Sequence, residues 1–144
     1  MTDAEFVAFR EAGEDGYAQQ IAESGSMSWA DAVQKASADF GRLLPAGLRT
    51  PGQFLWTAYD GAAPVGHLWL QIEGGAAFVY DIEVRADQRR HGYGRAIMLA
   101  GEVAAREAGA SSVGLNVFGQ NAGARSLYEQ LDYQVTSVQM RKTL

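Results

Sequence analysis

The chain predicts a mixed α/β fold: two helices, then a mostly antiparallel sheet that ends in a strand–helix–strand crossover. Three observations predict it. Helical spacing of apolar residues runs through roughly the first 43 residues. Three runs rich in β-branched and aromatic residues lie between Phe54 and Val84, separated only by short turns. A glycine-led helix then stands between the strand ending at Val84 and another starting at Val113, an order that requires a parallel β-α-β crossover. With 144 residues, 47% hydrophobic and 20% charged, one domain over 1–144 is expected: a helical segment 1–51 and a sheet segment 52–144.

Composition excludes several functions. There is no cysteine, so no disulfide framework, thiolate nucleophile or cysteine metal site, and the two histidines, His67 and His91, are too far apart in sequence to suggest zinc; no metal is expected. The net charge of −5 argues against a nucleic-acid partner. No apolar run approaches a membrane span, and Met1-Thr2-Asp3-Ala4-Glu5 lacks the marks of a signal peptide, so a cytoplasmic location away from membranes is expected. The acids from Asp3 to Asp39 are opposed only by Arg10 and Lys35, a balance that favours a cationic substrate over this segment.

Taken in order, residues 3–23 read as a helix anchored by Phe6, Phe9, Tyr17 and Ile21, with a bend or break expected at Gly13 and Gly16. Ser28-Trp29-Ala30-Asp31 resembles a capping pattern for a second helix over about 29–43, with Trp29, Val33, Ala36 and Phe40 predicted on one face. A breaker-rich loop, Pro45 to Gly52, precedes strands 54–59 and 65–72 in hairpin arrangement, and Gly74-Gly75 turns the chain into the central strand, 76–84. His67 lies within the second strand and is read as structural. The helix from Gly92 should end at Ala108-Gly109. Val113, Leu115 and Val117 then alternate as a strand, Asn121 to Leu131 forms a helix, and residues 135–140 are expected to close the sheet.

The chemistry concentrates in residues 76–95, AAFVYDIEVRADQRRHGYGR. The first N–H groups of a helix have no intrahelical partner and sit at the positive end of its dipole, so a phosphate suits them. Gly92 and Gly94 allow close approach of a ligand to the backbone, and Arg89, Arg90, His91 and Arg95 add donors. A dinucleotide fingerprint would need a third glycine where Ile97 stands, and no Gly-Lys-Ser/Thr exists for a triphosphate loop.

Arg89-Arg90-His91-Gly92-Tyr93-Gly94 resembles the Q/R-x-x-G-x-G/A coenzyme A motif of the GNAT family of N-acetyltransferases. Ile82-Glu83-Val84 precedes it as in the family, and Asn121-Ala122-Gly123-Ala124-Arg125-Ser126-Leu127-Tyr128-Glu129 follows it, with Asp132 where the family has glycine. The resemblance covers about residues 52–144. It implies a GNAT-like mixed, mostly antiparallel sheet with a β-α-β coenzyme-binding core and flanking helices, acting as an acetyl-CoA-dependent N-acetyltransferase. It also implies a strand before the first helix; here the helix starts almost at once, which leaves a sheet edge that would serve as a homodimer contact.

The resemblance assigns roles residue by residue. Backbone donors from His91 to Arg95, Tyr93 included, hold the coenzyme diphosphate. The backbone of Ile82 to Val84 runs beside the pantetheine and polarises the acetyl carbonyl. Asn121 contacts the pantetheine, and Tyr128 lies near the sulfur as an acid. The first two helices wall the acceptor site, with Trp29 and Phe40 as lining residues. The family's base positions correspond to Phe78 and Tyr80 and, on the next strand, to Asn116. Among carboxylates Glu83 ranks first as base and Asp81 second, followed by a water chain through Tyr80. Alternation turns both carboxylates away from the face of Ile82 and Val84 unless a β-bulge intervenes. The acceptor is expected to be a small amine or a protein N-terminus. Because no base stands out, the alternative reading is a non-catalytic acyl-CoA-binding module.

Overall fold

The computed structural model describes residues 1–144. Helix α1 spans Asp3–Glu23 and α2 Trp29–Leu43; strands β1 (Gln53–Asp60), β2 (Ala63–Glu73) and β3 (Ala76–Val84) follow, then α3 (Tyr93–Glu107), β4 (Val113–Leu115) and α4 (Ala122–Gln130). The sheet order is β1-β2-β3-β4; the first three strands are antiparallel and β4 runs parallel to β3, so α3 is the crossover. No helix is long and apolar enough to cross a membrane.

Two layers cover the sheet. Helices α3 and α4 bury Ile97, Met98, Ala105 and Tyr128 against Leu68, Leu70, Ala77 and Val79. On the opposite face α1 and α2 bury Phe9, Phe40 and Leu44 against Leu55 and Trp69. The Trp69 indole N–H inside this second core donates to Gln53 Oε1 at 2.6 Å, so its burial leaves no donor unpaired.

α1 is continuous through Gly13, contrary to the expected break. A capping box starts it, Thr2 Oγ1 accepting from Glu5 N–H at 3.2 Å while Glu5 Oε2 accepts from Thr2 N–H at 2.6 Å. A Cβ at Gly13 would stand 2.9 Å from Phe40 Cζ, so this glycine serves the approach of α2 to α1. Ser28 caps α2 as predicted, accepting from Asp31 N–H at 3.1 Å. The buried face of α2 keeps Ala36 and Phe40 of the predicted four, but turns about them. Ala32, Ala36 and Phe40 point inward because two alanines let the helix settle on Ala18 and Ile21, whereas Trp29 is 55% exposed and Val33 also faces outward.

The closing strand at 135–140 does not form; residues 134–144 adopt no regular structure and Met140 is 93% exposed. β4 is only three residues long and offers too little ladder to pair another strand. Asp132 takes φ 65° just after α4, the left-handed conformation that suits the family's glycine.

Candidate functional site

At β3 the hairpin register set by Gly74-Gly75 would place His67 opposite Ile82. It is shifted by one residue at Tyr80: Leu70 pairs with Val79, but Trp69 pairs with Asp81. Because side chains alternate, one extra residue exchanges the faces of everything after it. Ile82 and Val84 thereby join the core under α3, while Asp81 and Glu83 turn to the face covered by α1 and α2. A bulge was the device expected to bring the carboxylates to the side of Ile82 and Val84. It lies upstream of all four, so the carboxylates stay opposite those residues and reach the helical acceptor face instead.

The pairing of β3 with β4 ends at the same point. Ala77, Phe78 and Val79 match Val113, Gly114 and Leu115, and no partner continues the ladder beside Tyr80 to Val84. The backbone on that side of β3 therefore lines a gap in the sheet. At the gap's mouth α3 begins. Gly92, its N-cap, has φ 82°, no side chain caps the helix, no acid lies in its first turn, and its first bond runs from Ala96 N–H to Gly92 O at 3.1 Å. The amides of Tyr93, Gly94 and Arg95 precede that bond and are left as donors. Nothing lies within 4 Å of where a Gly92 Cβ would stand, so the approach is open.

Surrounding contacts fix the loop. Arg90 is held at φ 67°, uncommon for a residue with a Cβ. Arg89 Nε donates to Val84 O at 3.3 Å, His91 Nδ1 to Gln88 O at 3.2 Å, and the Tyr93 hydroxyl to Asp60 Oδ2 at 2.5 Å. Gly94 packs where a Cβ would sit 3.2 Å from Leu127. Arg90 and Arg95 are exposed. Open amides, two free guanidinium groups and a clear approach fit a diphosphate.

The other predicted residues divide. Tyr128 is 8% exposed; burial, and behind it the charge of Asp81, push its hydroxyl above the usual tyrosine range. No buried polar side-chain atom lacks a partner, and the Tyr128 hydroxyl makes no bond within the protein, so it opens to solvent. Asn121 caps α4, its Oδ1 accepting from Ala124 N–H at 3.2 Å. Tyr80 packs at a tilt on Trp69, ring centroids 4.8 Å apart, and donates to Gln71 Oε1 at 3.2 Å. Glu83 and Asn116 are exposed, the latter just beyond β4. Trp29 packs in none of the three cores and is not brought to this group.

His67, read as structural from sequence, stands beside Asp81 on the face covered by α1 and α2. Its Nε2 lies 2.8 Å from Asp81 Oδ2, and its ring meets Phe9 edge-on at 5.0 Å. The signal that would have found it is the bulge, which alone puts it on one face with Asp81.

The uncapped start of α3 thus stands at the mouth of a parted parallel strand pair. The chain belongs to the acetyltransferase (GNAT) family, whose model matches residues 16–133. It is 36% identical over 133 residues to the uncharacterized N-acetyltransferase YycN of Bacillus subtilis, covering 89% of this chain and 85% of that one. The uncharacterized N-acetyltransferase YdgE of the same organism is 30% identical over 149 residues, 100% of this chain and 95% of the other. The crystal structure of YycN superposes with a TM-score of 0.95 at 34% identity, over 100% of this chain and 95% of that chain. Mixed α/β architecture and acetyltransferase class thus stand together.

Proposed function

We propose that this chain moves an acetyl group from acetyl-CoA to a primary amine by direct attack on the thioester, with residues 1–144 acting as one unit. The observation that carries the proposal is the coincidence of three features: the bulge at Tyr80, the end of the β3–β4 ladder at Val79, and the uncapped start of α3. Amides of α3 and the guanidinium groups of Arg90 and Arg95 hold the diphosphate. The unpaired β3 backbone from Tyr80 to Val84 takes the pantetheine, and an N–H there polarises the acetyl carbonyl. Tyr128 donates to the departing sulfur; its raised pKa keeps it protonated throughout the neutral range.

The acceptor approaches from the face of α1 and α2. Asp81 and Glu83 face it from β3, and Glu5 from α1, where a hydrogen bond from Tyr59 lowers the carboxyl to about 2. This charge favours a cationic amine, a polyamine-like molecule or a protein N-terminus. Gly92→Glu tests the coenzyme half: a carboxylate at the helix start should weaken acetyl-CoA binding at least tenfold by calorimetry, and unchanged binding would refute the assignment. Tight coenzyme binding with no thiol release on any amine would favour the non-catalytic module.

A further inference from the structure

An amine must lose a proton before or during attack, and the family's usual base positions hold Phe78, Tyr80 and Asn116. We propose that His67, its Nε2–H clamped by Asp81, accepts that proton at Nδ1, directly or through one water. This rests on the acetyl-transfer reading above.

The geometry carries the inference. A carboxylate only accepts, so the 2.8 Å contact fixes the neutral imidazole as the Nε2–H tautomer and leaves the lone pair on Nδ1. Nδ1 has no partner in the protein, and no unpartnered polar side-chain atom is buried, so Nδ1 is reachable although the side chain is only 20% exposed. Phe9 packs edge-on against the ring and limits its swing. In register His67 lies opposite Glu83 and one residue from the Leu68–Ile82 pair, beside the backbone assigned to the pantetheine. The charged groups on its face are Asp81 and Glu83 from β3, and Glu5 of α1 reaches Thr57, the residue opposite it on β1; Tyr128 packs under the other face. Thr57, opposite it on β1, carries no charge.

The step balances. Nδ1 takes one proton from the ammonium and passes it to solvent. The freed lone pair forms the C–N bond while the carbonyl π pair moves to oxygen. Collapse restores C=O and breaks C–S, the departing thiolate accepts a hydrogen bond from the Tyr128 hydroxyl, and the adduct's extra N–H proton leaves to solvent, which in turn protonates the thiolate. Asp81 acts by fixing the tautomer and stabilising the imidazolium, which makes it a positioning residue.

The experiment uses acetyl-CoA with spermidine, tyramine and an alanine-initiated tripeptide, measuring thiol release from pH 5 to 9 together with acetyl-CoA binding by calorimetry. The wild type should show kcat/KM rising with pH along one acid limb. His67→Gln retains a donor for Asp81 but cannot take a proton; it should lower kcat at neutral pH roughly 100-fold or more and leave a rate that climbs through pH 9 with the free-amine fraction, with acetyl-CoA affinity within about twofold. Asp81→Asn, should the histidine variant not fold, can donate to Nε2 and so move the ring proton to Nδ1; it should lower kcat roughly tenfold or more with acetyl-CoA affinity within about twofold. A folded His67→Gln with rate and pH profile intact, or an Asp81→Asn enzyme with kcat within twofold of wild type, overturns the inference and leaves acetyl transfer standing. A wild type that binds no acetyl-CoA, or turns over none of the three amines, overturns both.

Discussion

Replacing Tyr128 by phenylalanine separates chemistry from packing. The ring is buried against α3, but the hydroxyl makes no bond in the protein and opens to solvent, so its removal strands no partner. Stability should change by less than about 0.5 kcal/mol. Catalysis should suffer more. A thiolate of ordinary pKa, about 8.5, is a weaker base than tyrosinate, whose pKa burial raises further here, so complete proton transfer to sulfur runs uphill. What the hydroxyl supplies in the transition state is therefore mainly a hydrogen bond to a developing anion, worth about 1.5–3 kcal/mol. That corresponds to a loss of about 10- to 150-fold in kcat. Steady-state thiol release at saturating acetyl-CoA measures kcat, and a thermal melt measures stability. A Tyr128→Phe enzyme with kcat within twofold of wild type refutes the acid role. A loss of more than about 1 kcal/mol in stability would reveal a partner for the hydroxyl and refute the packing argument.

Two further outcomes follow from the same coordinates. Asp132→Gly should stabilise the fold by about 0.5–1 kcal/mol, because φ 65° costs a side chain that glycine lacks; a rise of about 3 °C in Tm checks it. Tyr133 is raised by burial, then by Glu102, whose Oε1 accepts from its hydroxyl at 3.0 Å, and Tyr128 by burial and Asp81. Both folded pKa values lie above the unfolded value near 10, so the stability they contribute is complete below about pH 10 and is lost as pH rises through the folded values. Urea midpoints should fall above pH 10 in the wild type, and less steeply in Tyr133→Phe.

Local signals in the sequence located nearly every element. The Ser28 cap, the Gly74-Gly75 turn, the glycines at α3 and the Asn121 cap all act on residues within a few positions of themselves. The failures are tertiary. Gly13 reads as a breaker along the chain, yet the ring of Phe40, twenty-seven residues away, is what requires it. On α2 the spacing finds Ala36 and Phe40, but close approach to α1 selects Ala32 beside them and leaves Trp29 and Val33 outside. Residues 135–140 have strand-forming side chains and no ladder to join. The glycine motif was legible because an anion site is a local device. The pairing of His67 with Asp81 was not, because it depends on two strands and one inserted residue.

That insertion links the coenzyme half of the site to the acceptor half. Without the extra residue at Tyr80, Asp81 would face the apolar layer under α3, and Ile82 would face the helices. Burying an unpaired carboxylate there would cost several kcal/mol, more than the local cost of a bulge. The sequence Tyr80-Asp81-Ile82-Glu83-Val84 is therefore compatible with this core only when bulged. The same bulge stands where β4 leaves the ladder, so the residue that turns Asp81 toward His67 also marks where β3 becomes free to bind a ligand. Polarity of a five-residue stretch thus fixes both where β3 parts from β4 and which face of the sheet Asp81 and Glu83 occupy.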